Sequence, residues 1–423
     1  MFLETDEQTI RDLGIFGRQD AGGIYDLYNQ THTRGGEALL QEMFRAPLAE
    51  RGAIRTRAGI IRDFARLGAA FPFDATALDM AEKYLAQGKP SAAPSEREIA
   101  DGVAAVITLI QDLSRFMQVE GVAGIGDYAA ERGAIQSLLS TPALAPARQE
   151  QTKGKRSYTA INAYDLLFRV RERATVEGLL AHIYRLDVFI SVARVATDRR
   201  FVFPEVLEAG PATLRLEGVY HPSLKNPVAN TLFMQPGEQV VFLTGANMAG
   251  KSTFLRSVST ALYLAHMGFP VAAGSMTFSL LDGLYTTVNL PDNLGIGASH
   301  FYAEVLRLKK IATELSRGKA LFVLFDELFR GTNVKDAHEA TVAVTAAFAG
   351  KKDSLFIISS HIVEAGEDLR ARGNIGFLYL PTRMNGHVPE YTYTLERGIT
   401  DDRHGMIIIR NEGILDTLKK HKP

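Results

Sequence analysis

Gly245-Ala246-Asn247-Met248-Ala249-Gly250-Lys251-Ser252 sets two glycines, a lysine and a hydroxyl in the spacing G-x-x-x-x-G-K-[ST]. The chemistry that spacing suits is phosphate binding. The glycines let backbone amides close around an anion, and a helix opening at the lysine adds its positive end. Lys251 is placed to reach β- and γ-phosphates, Ser252 to ligate Mg²⁺ and Thr253 to meet an α-phosphate oxygen. The alternative is a glycine-rich turn beside a solvated lysine.

Three further sites join this one. Leu321–Phe325 is an apolar run ending in Asp326-Glu327, a Walker B pattern. Asp326 is expected to hold Mg²⁺ or its waters, and Glu327 to polarise an attacking water. Two unpaired carboxylates ending a strand buried on both faces would be costly without such a task; two solvated residues are the other reading. Ser360-His361 follows a further apolar run, where open parallel sheets bind ligands. There His361 could meet a γ-phosphate or the water, although a lone histidine is commonly structural. Gly297-Ala298-Ser299 begins a helical stretch that runs into the Asp-Glu strand. Ser299 is either its N-cap or a group facing the phosphate of a second subunit, and spacing does not separate the two.

The elements that must hold these residues are legible in outline. Gln239–Thr244, Ala320–Phe325 and Ser354–Ser359 are continuous apolar runs bounded by polar turns, as in strands of a parallel sheet covered by helices. Ile375–Leu380 and the alternating Tyr391–Leu395 read as later strands, the second at an edge. After the glycine loop, Phe254, Leu255, Val258, Ala261, Leu262 and Ala265 share one helical face. The first 200 or so residues have helical periodicity instead, as in GGEALLQEMF, IRTRAGIIRDFARL and TVEGLLAHIYRLDVFISVARVA, broken at Gln87–Ser95 and Ser140–Ala147. The expected organisation is α followed by α/β, with a helical domain over 1–203 and a sheet domain over 204–423.

Composition excludes several classes. The 423 residues exceed one ordinary domain, and 46% hydrophobic with 22% charged residues is a globular mix. The absence of Cys rules out disulfides, thiolate metal sites and cysteine nucleophiles, and suits a reducing cytoplasmic setting. No apolar run approaches the ~20 residues of a membrane span, and MFLETDEQTI lacks a basic signal-peptide start. With 47 basic against 48 acidic residues, nucleic-acid binding would need local patches. Candidates are Lys153, Lys155 and Arg156, then Arg194, Arg199 and Arg200, then the tail lysines Lys419, Lys420 and Lys422; each also reads as a solvated face.

Together these motifs resemble the MutS family of DNA mismatch-repair ATPases, relatives of the ABC ATPases. Thr244–Thr253 (TGANMAGKST) is close to the family's TGPNM-[AG]-GKST, and Asp326–Thr332 to DE-x-x-RGT, with Asp336 beyond. Leu290–Leu294 through Gly297–Glu304 resembles its signature segment, Ser359–His361 its threonine-histidine switch and Asp402–Gly405 its D-R-S-Y-G stretch. Less sharply, Thr5–Thr9, Asn29–Gly36, Pro47-Leu48 and Leu186-Asp187 with Pro204 resemble the family's core domain. The resemblance implies a helical core and lever domain followed by an ABC-type P-loop ATPase domain. It implies ATP and Mg²⁺ sandwiched in an ATP-dependent homodimer, with Lys251, Ser252 and Asp326 of one subunit and Ser299 of the other at each nucleotide. Glu327 is then the general base and His361 the γ-phosphate sensor. Where the family often offers an aromatic to adenine this sequence has Pro227, leaving Asn230 as the base contact. The segment before the core domain that would read mismatches and the connector are expected to be missing, and 76–175 to be too short for full levers and a DNA clamp.

The function expected is a MutS-like ATPase whose cycle moves its helical domain, acting on duplex or branched DNA and not on a membrane. The alternative is an ATP-driven switch or assembly scaffold without direct DNA recognition. A small-molecule kinase fits less well, because the Asp-Glu pair and the Ser299 segment suit water activation.

Overall fold

The computed structural model describes residues 1–17, 22–86, 95–150, 156–288, 300–330, 332–385, 388–400 and 417–418. They form two compact units: 27–45 with 56–200, and 1–26 with 46–55 and 201–423.

The first unit is helical. Its long helices include Arg34–Arg45, Glu96–Phe116 and Arg173–Arg199, where the sequence periodicity places them. Of the Gln87–Ser95 break, 87–94 lie outside the described residues; Ser95 closes it with a capping box on Glu98. The Ser140–Ala147 break holds a short 3₁₀ turn, Pro142–Leu144. A fully buried carboxylate organises one end: Asp187 accepts the backbone N–H groups of His32 and Thr33 at 3.0 and 2.9 Å and the Thr33 hydroxyl at 2.8 Å. A Cβ on Gly36 would stand 2.5 Å from that carboxylate, so the close approach requires glycine. The Asn29–Gly36 and Leu186-Asp187 motifs are thus two halves of one capping device.

The described residues of the second unit form twelve strands: β1 (Glu205–Val206), β2 (Leu214–Val219), β3 (Asn230–Met234), β4 (Val240–Gly245), β5 (Ser275–Phe278), β6 (Gly283–Thr287), β7 (Leu321–Phe325), β8 (Leu355–Ser359), β9 (Ile375–Leu380), β10 (Thr382–Asn385), β11 (Val388–Tyr391) and β12 (Glu396–Arg397). One sheet runs β12-β9-β4-β8-β7-β6, parallel apart from β12; another runs β1-β5-β2-β3, and β10 with β11 makes a hairpin. Every residue of β4, β7 and β8 is buried, which explains their unbroken apolar runs. The helix Lys251–His266 packs on β2 as well as β4. It is therefore buried nearly all round, not along the single face its apolar spacing suggests.

Two expectations change. Tyr391–Leu395 is not a strand: β11 ends at Tyr391, and Tyr393 adopts a left-handed conformation (φ 54°). The backbone groups a strand partner would take go to Asn230, whose amide donates to Tyr393 O (2.9 Å) and accepts from Leu395 N–H (2.7 Å). The expected division falls at 203/204 and the boundary between the compact units at 200/201, but residues 1–26 and 46–55 join the sheet unit. The reason is the β6 edge. Glu4 bridges to Gly283, and helix Glu7–Asp12 covers the strand beyond it. Thr286 donates its N–H to Thr9 (3.1 Å) and its hydroxyl to Asp12 (3.0 Å), satisfying groups an open edge would expose.

Asp6 anchors this cover. It pairs with buried Arg307 and with Lys310 at 2.7 Å. Burial alone would raise its pKa; the hydrogen bonds from Arg307 and Lys310 outweigh burial and hold the carboxyl well below the usual range. A depressed folded-state pKa stabilises above the unfolded value, ~3.9, and that stability is lost as pH falls further. Asp6→Asn is expected to cost about 3 kcal/mol in urea unfolding at pH 7, as when a buried pair loses one partner. The difference from wild type should shrink below about pH 4. An equal loss at pH 7 and pH 3 would refute the ionic role.

Candidate functional site

The parallel order brings the carboxyl ends of β4, β7 and β8 side by side, and the candidate residues stand there. After β4, Gly245 (φ 150°) and Gly250 (φ 96°) bend the chain back into the Lys251–His266 helix. A Cβ at Gly250 would lie 2.9 Å from the Tyr393 ring, so the turn needs glycine for space as well as torsion. Lys251 is buried and donates to Gly245 O (2.7 Å) and Ala246 O (3.0 Å), across the mouth of the loop. Burial pushes its pKa down, while Glu327 and Asp326 push it up.

Next along the sheet, Ser252 Oγ lies 2.5 Å from one oxygen of Asp326, and the Ser359 hydroxyl donates to the other at 2.7 Å. Serine and carboxylate oxygens set together are hard donors suited to Mg²⁺. No cluster of three or more His, Cys, Asp or Glu able to hold a metal exists among the described residues.

Glu327 follows, with Nε2 of His361 2.5 Å from one carboxylate oxygen and Arg330 3.2 Å from the other. The His361 hydrogen bond lowers its pKa against the opposing effect of burial. Glu327 sits at φ 59° and Phe329 at φ 63°. Among the described residues five non-glycines have positive φ. Met248, Glu327, Phe329 and Tyr393 lie in or beside this site, and the fifth, Arg200, ends a helix. Strained backbone of this kind gathers where function over-determines it.

Beside the loop is a cavity of about 270 Å³, lined in part by Tyr220, His221, Pro227, Asn230, Gly250, Thr253, Phe254 and Tyr393. Asn230 and Thr253, expected from the sequence to contact nucleotide, both line this cavity, and the Asn230 amide holds the 393–395 segment. The sequence gives no sign of Tyr393 at this cavity, because its alternating surroundings read as an edge strand. Asn247, Met248 and Ala249 form the tip of the loop, with the Met248 side chain exposed. Ser299, Asp402–Gly405, Lys153, Lys155 and the tail lysines Lys419, Lys420 and Lys422 lie outside the described residues. Arg156 and Arg194 each face a carboxylate, Glu150 at 3.6 Å and Asp198 at 3.5 Å.

A sheet whose strand β4 feeds a glycine loop and helix, with acidic and hydroxyl groups ending the neighbouring strands, makes this an α/β unit with its polar groups gathered at the carboxyl ends of the strands. The comparisons narrow that class. The family profile described as MutS domain V matches residues 241–419. DNA mismatch repair protein MutS 1 of Haloarcula marismortui is 30% identical over 278 residues, covering 60% of this chain and 29% of that protein. Over those residues the chain is similar to the MutS family, and it spans less than a third of the length of that relative. No helix among the described residues is long and apolar enough to cross a membrane.

Proposed function

We propose that this chain is a P-loop ATPase that binds ATP with Mg²⁺ and hydrolyses it. The observation that carries the reading is the convergence of Lys251, the Ser252–Asp326–Ser359 chain and the Glu327–His361 pair at the ends of three adjacent parallel strands. Backbone amides of 245–250 and the Lys251 ammonium bind the phosphates. Ser252 and Asp326 hold Mg²⁺, which when bound neutralises charge on the phosphate oxygens. Glu327 accepts a proton from water at its carboxylate, and His361 keeps that carboxylate oriented and ionised. The cavity along Tyr393 takes the nucleoside.

The reading extends to a homodimer closed over ATP, with Ser299 of the second copy at the γ-phosphate. Closure and release then drive the helical unit. The match to MutS domain V and the mismatch-repair name of the relative support DNA as the polymer acted on. The alternative, a switch or scaffold without DNA recognition, draws support from the near-neutral charge and from Arg156 and Arg194 facing carboxylates. Light scattering with ATP and the hydrolysis-slow Glu327→Gln protein tests the dimer; a monomer under saturating nucleotide would sink it. Salt-dependent binding of that protein to duplex and branched DNA separates the two roles, since phosphate contacts weaken steeply with salt.

Tyr393→Ala tests the nucleoside assignment. Stacking on an aromatic ring contributes about 1–3 kcal/mol per base, so ATP affinity should fall roughly 5- to 100-fold. Titration of a fluorescent nucleotide reads it. Unchanged affinity would move the base elsewhere.

A further inference from the structure

We infer that Glu304 is a positioning residue for Glu327, fixing the turn that carries the Glu327 side chain. The inference rests on the reading of Glu327 as the base of ATP hydrolysis. Glu304 lies on the helix His300–Ser316, only 3% exposed, with its carboxyl beside the backbone N–H groups of Phe329 and Arg330 and one turn along from Phe301. Burial pushes its pKa up to about 7 against the pull of those amides. A carboxyl kept in the core at that cost answers a specific need for an acceptor.

The need lies in the turn. Glu327 and Phe329 are both left-handed, and each such residue costs on the order of 1–3 kcal/mol, so the conformation persists only where its surroundings impose it. The same helix supplies a second hold, with the Phe301 ring packed on the Phe329 ring at 5.7 Å. Arg330 closes the circuit: its backbone lies beside the Glu304 carboxyl, and its guanidinium stands 3.2 Å from Glu327. Without the acceptor the turn relaxes toward ordinary torsions and the Glu327 carboxylate leaves its place beside His361. A displacement of ~1 Å at a reacting group costs about 10² in rate.

Glu304→Ala, Glu304→Met and Glu304→Gln test this through three readouts: ATP turnover, nucleotide affinity, and amide hydrogen exchange at 327–330. Ala and Met should lower kcat about 10²-fold, leave ATP affinity within about threefold and speed exchange of the Phe329 and Arg330 amides. Gln, whose amide oxygen still accepts N–H groups, should return kcat to within about tenfold of wild type. Turnover at the wild-type rate in the Met protein, or slow turnover in all three with unchanged exchange, overturns the inference. An active wild type with a fully active Met variant removes only the role of Glu304, whereas an inactive wild type removes the ATPase reading and this inference with it. Met fills the volume that Ala vacates, so the test survives if the Ala protein fails to fold.

Discussion

Glu327→Gln is expected to bind ATP as the wild type does and to turn it over about 10²–10⁴-fold more slowly, the usual worth of a positioned general base. The substitution keeps shape and the hydrogen bond to His361, 2.5 Å away, but an amide cannot take a proton from water. It also leaves Lys251, Ser252 and Asp326 untouched, so affinity and catalysis separate cleanly. The wild-type carboxylate is held in place by His361, whose hydrogen bond lowers its pKa against the opposing effect of burial. Single-turnover hydrolysis beside equilibrium binding is the measurement. A Gln protein that hydrolyses within about threefold of wild type would strip Glu327 of its role. A Gln protein that loses ATP affinity by more than tenfold would make Glu327 a binding group instead.

What the sequence reveals of this site follows from how each part is buried. β4, β7 and β8 are covered on both faces, so they leave unbroken apolar runs, and their polar ends stand out against them. The glycine loop is legible because its torsions demand glycine at fixed places. Two features escape. Tyr393 lies in a segment held by one side chain, Asn230, from 163 residues away, and no local pattern encodes such a partner. The joining of residues 1–26 to the sheet unit depends likewise on pairing across about 300 residues, Asp6 with Arg307. Glu304 is intermediate. Acidic residues in a helical stretch usually read as solvated, yet Phe301, Glu304, Leu308 and Ile311 fall at helical spacing on one face. A carboxylate in that stripe is a signal of a buried acceptor, and the structure buries it.

Lys251→Ala should remove nucleotide binding almost entirely, by about 10²-fold or more in affinity. Two effects combine. Charge-assisted hydrogen bonds contribute about 1.5–3 kcal/mol each, and a lysine reaching two phosphates supplies more than one. The loss also changes the sign of the local field: Asp326 and Glu327 stay beside the loop without the cation that offsets them. A triphosphate approaching two uncompensated carboxylates meets repulsion in place of attraction. In the free protein Lys251 spans Gly245 O and Ala246 O, so those carbonyls lose a donor as well. Lys251→Met, which keeps most of the volume, controls for that loosening and should bind as poorly. Calorimetric titration with ATP and Mg²⁺, alongside thermal unfolding to show that both variants fold, reads the result. If the Met protein binds ATP within about threefold of wild type, the lysine does not hold phosphate, and the glycine loop is a turn with another purpose.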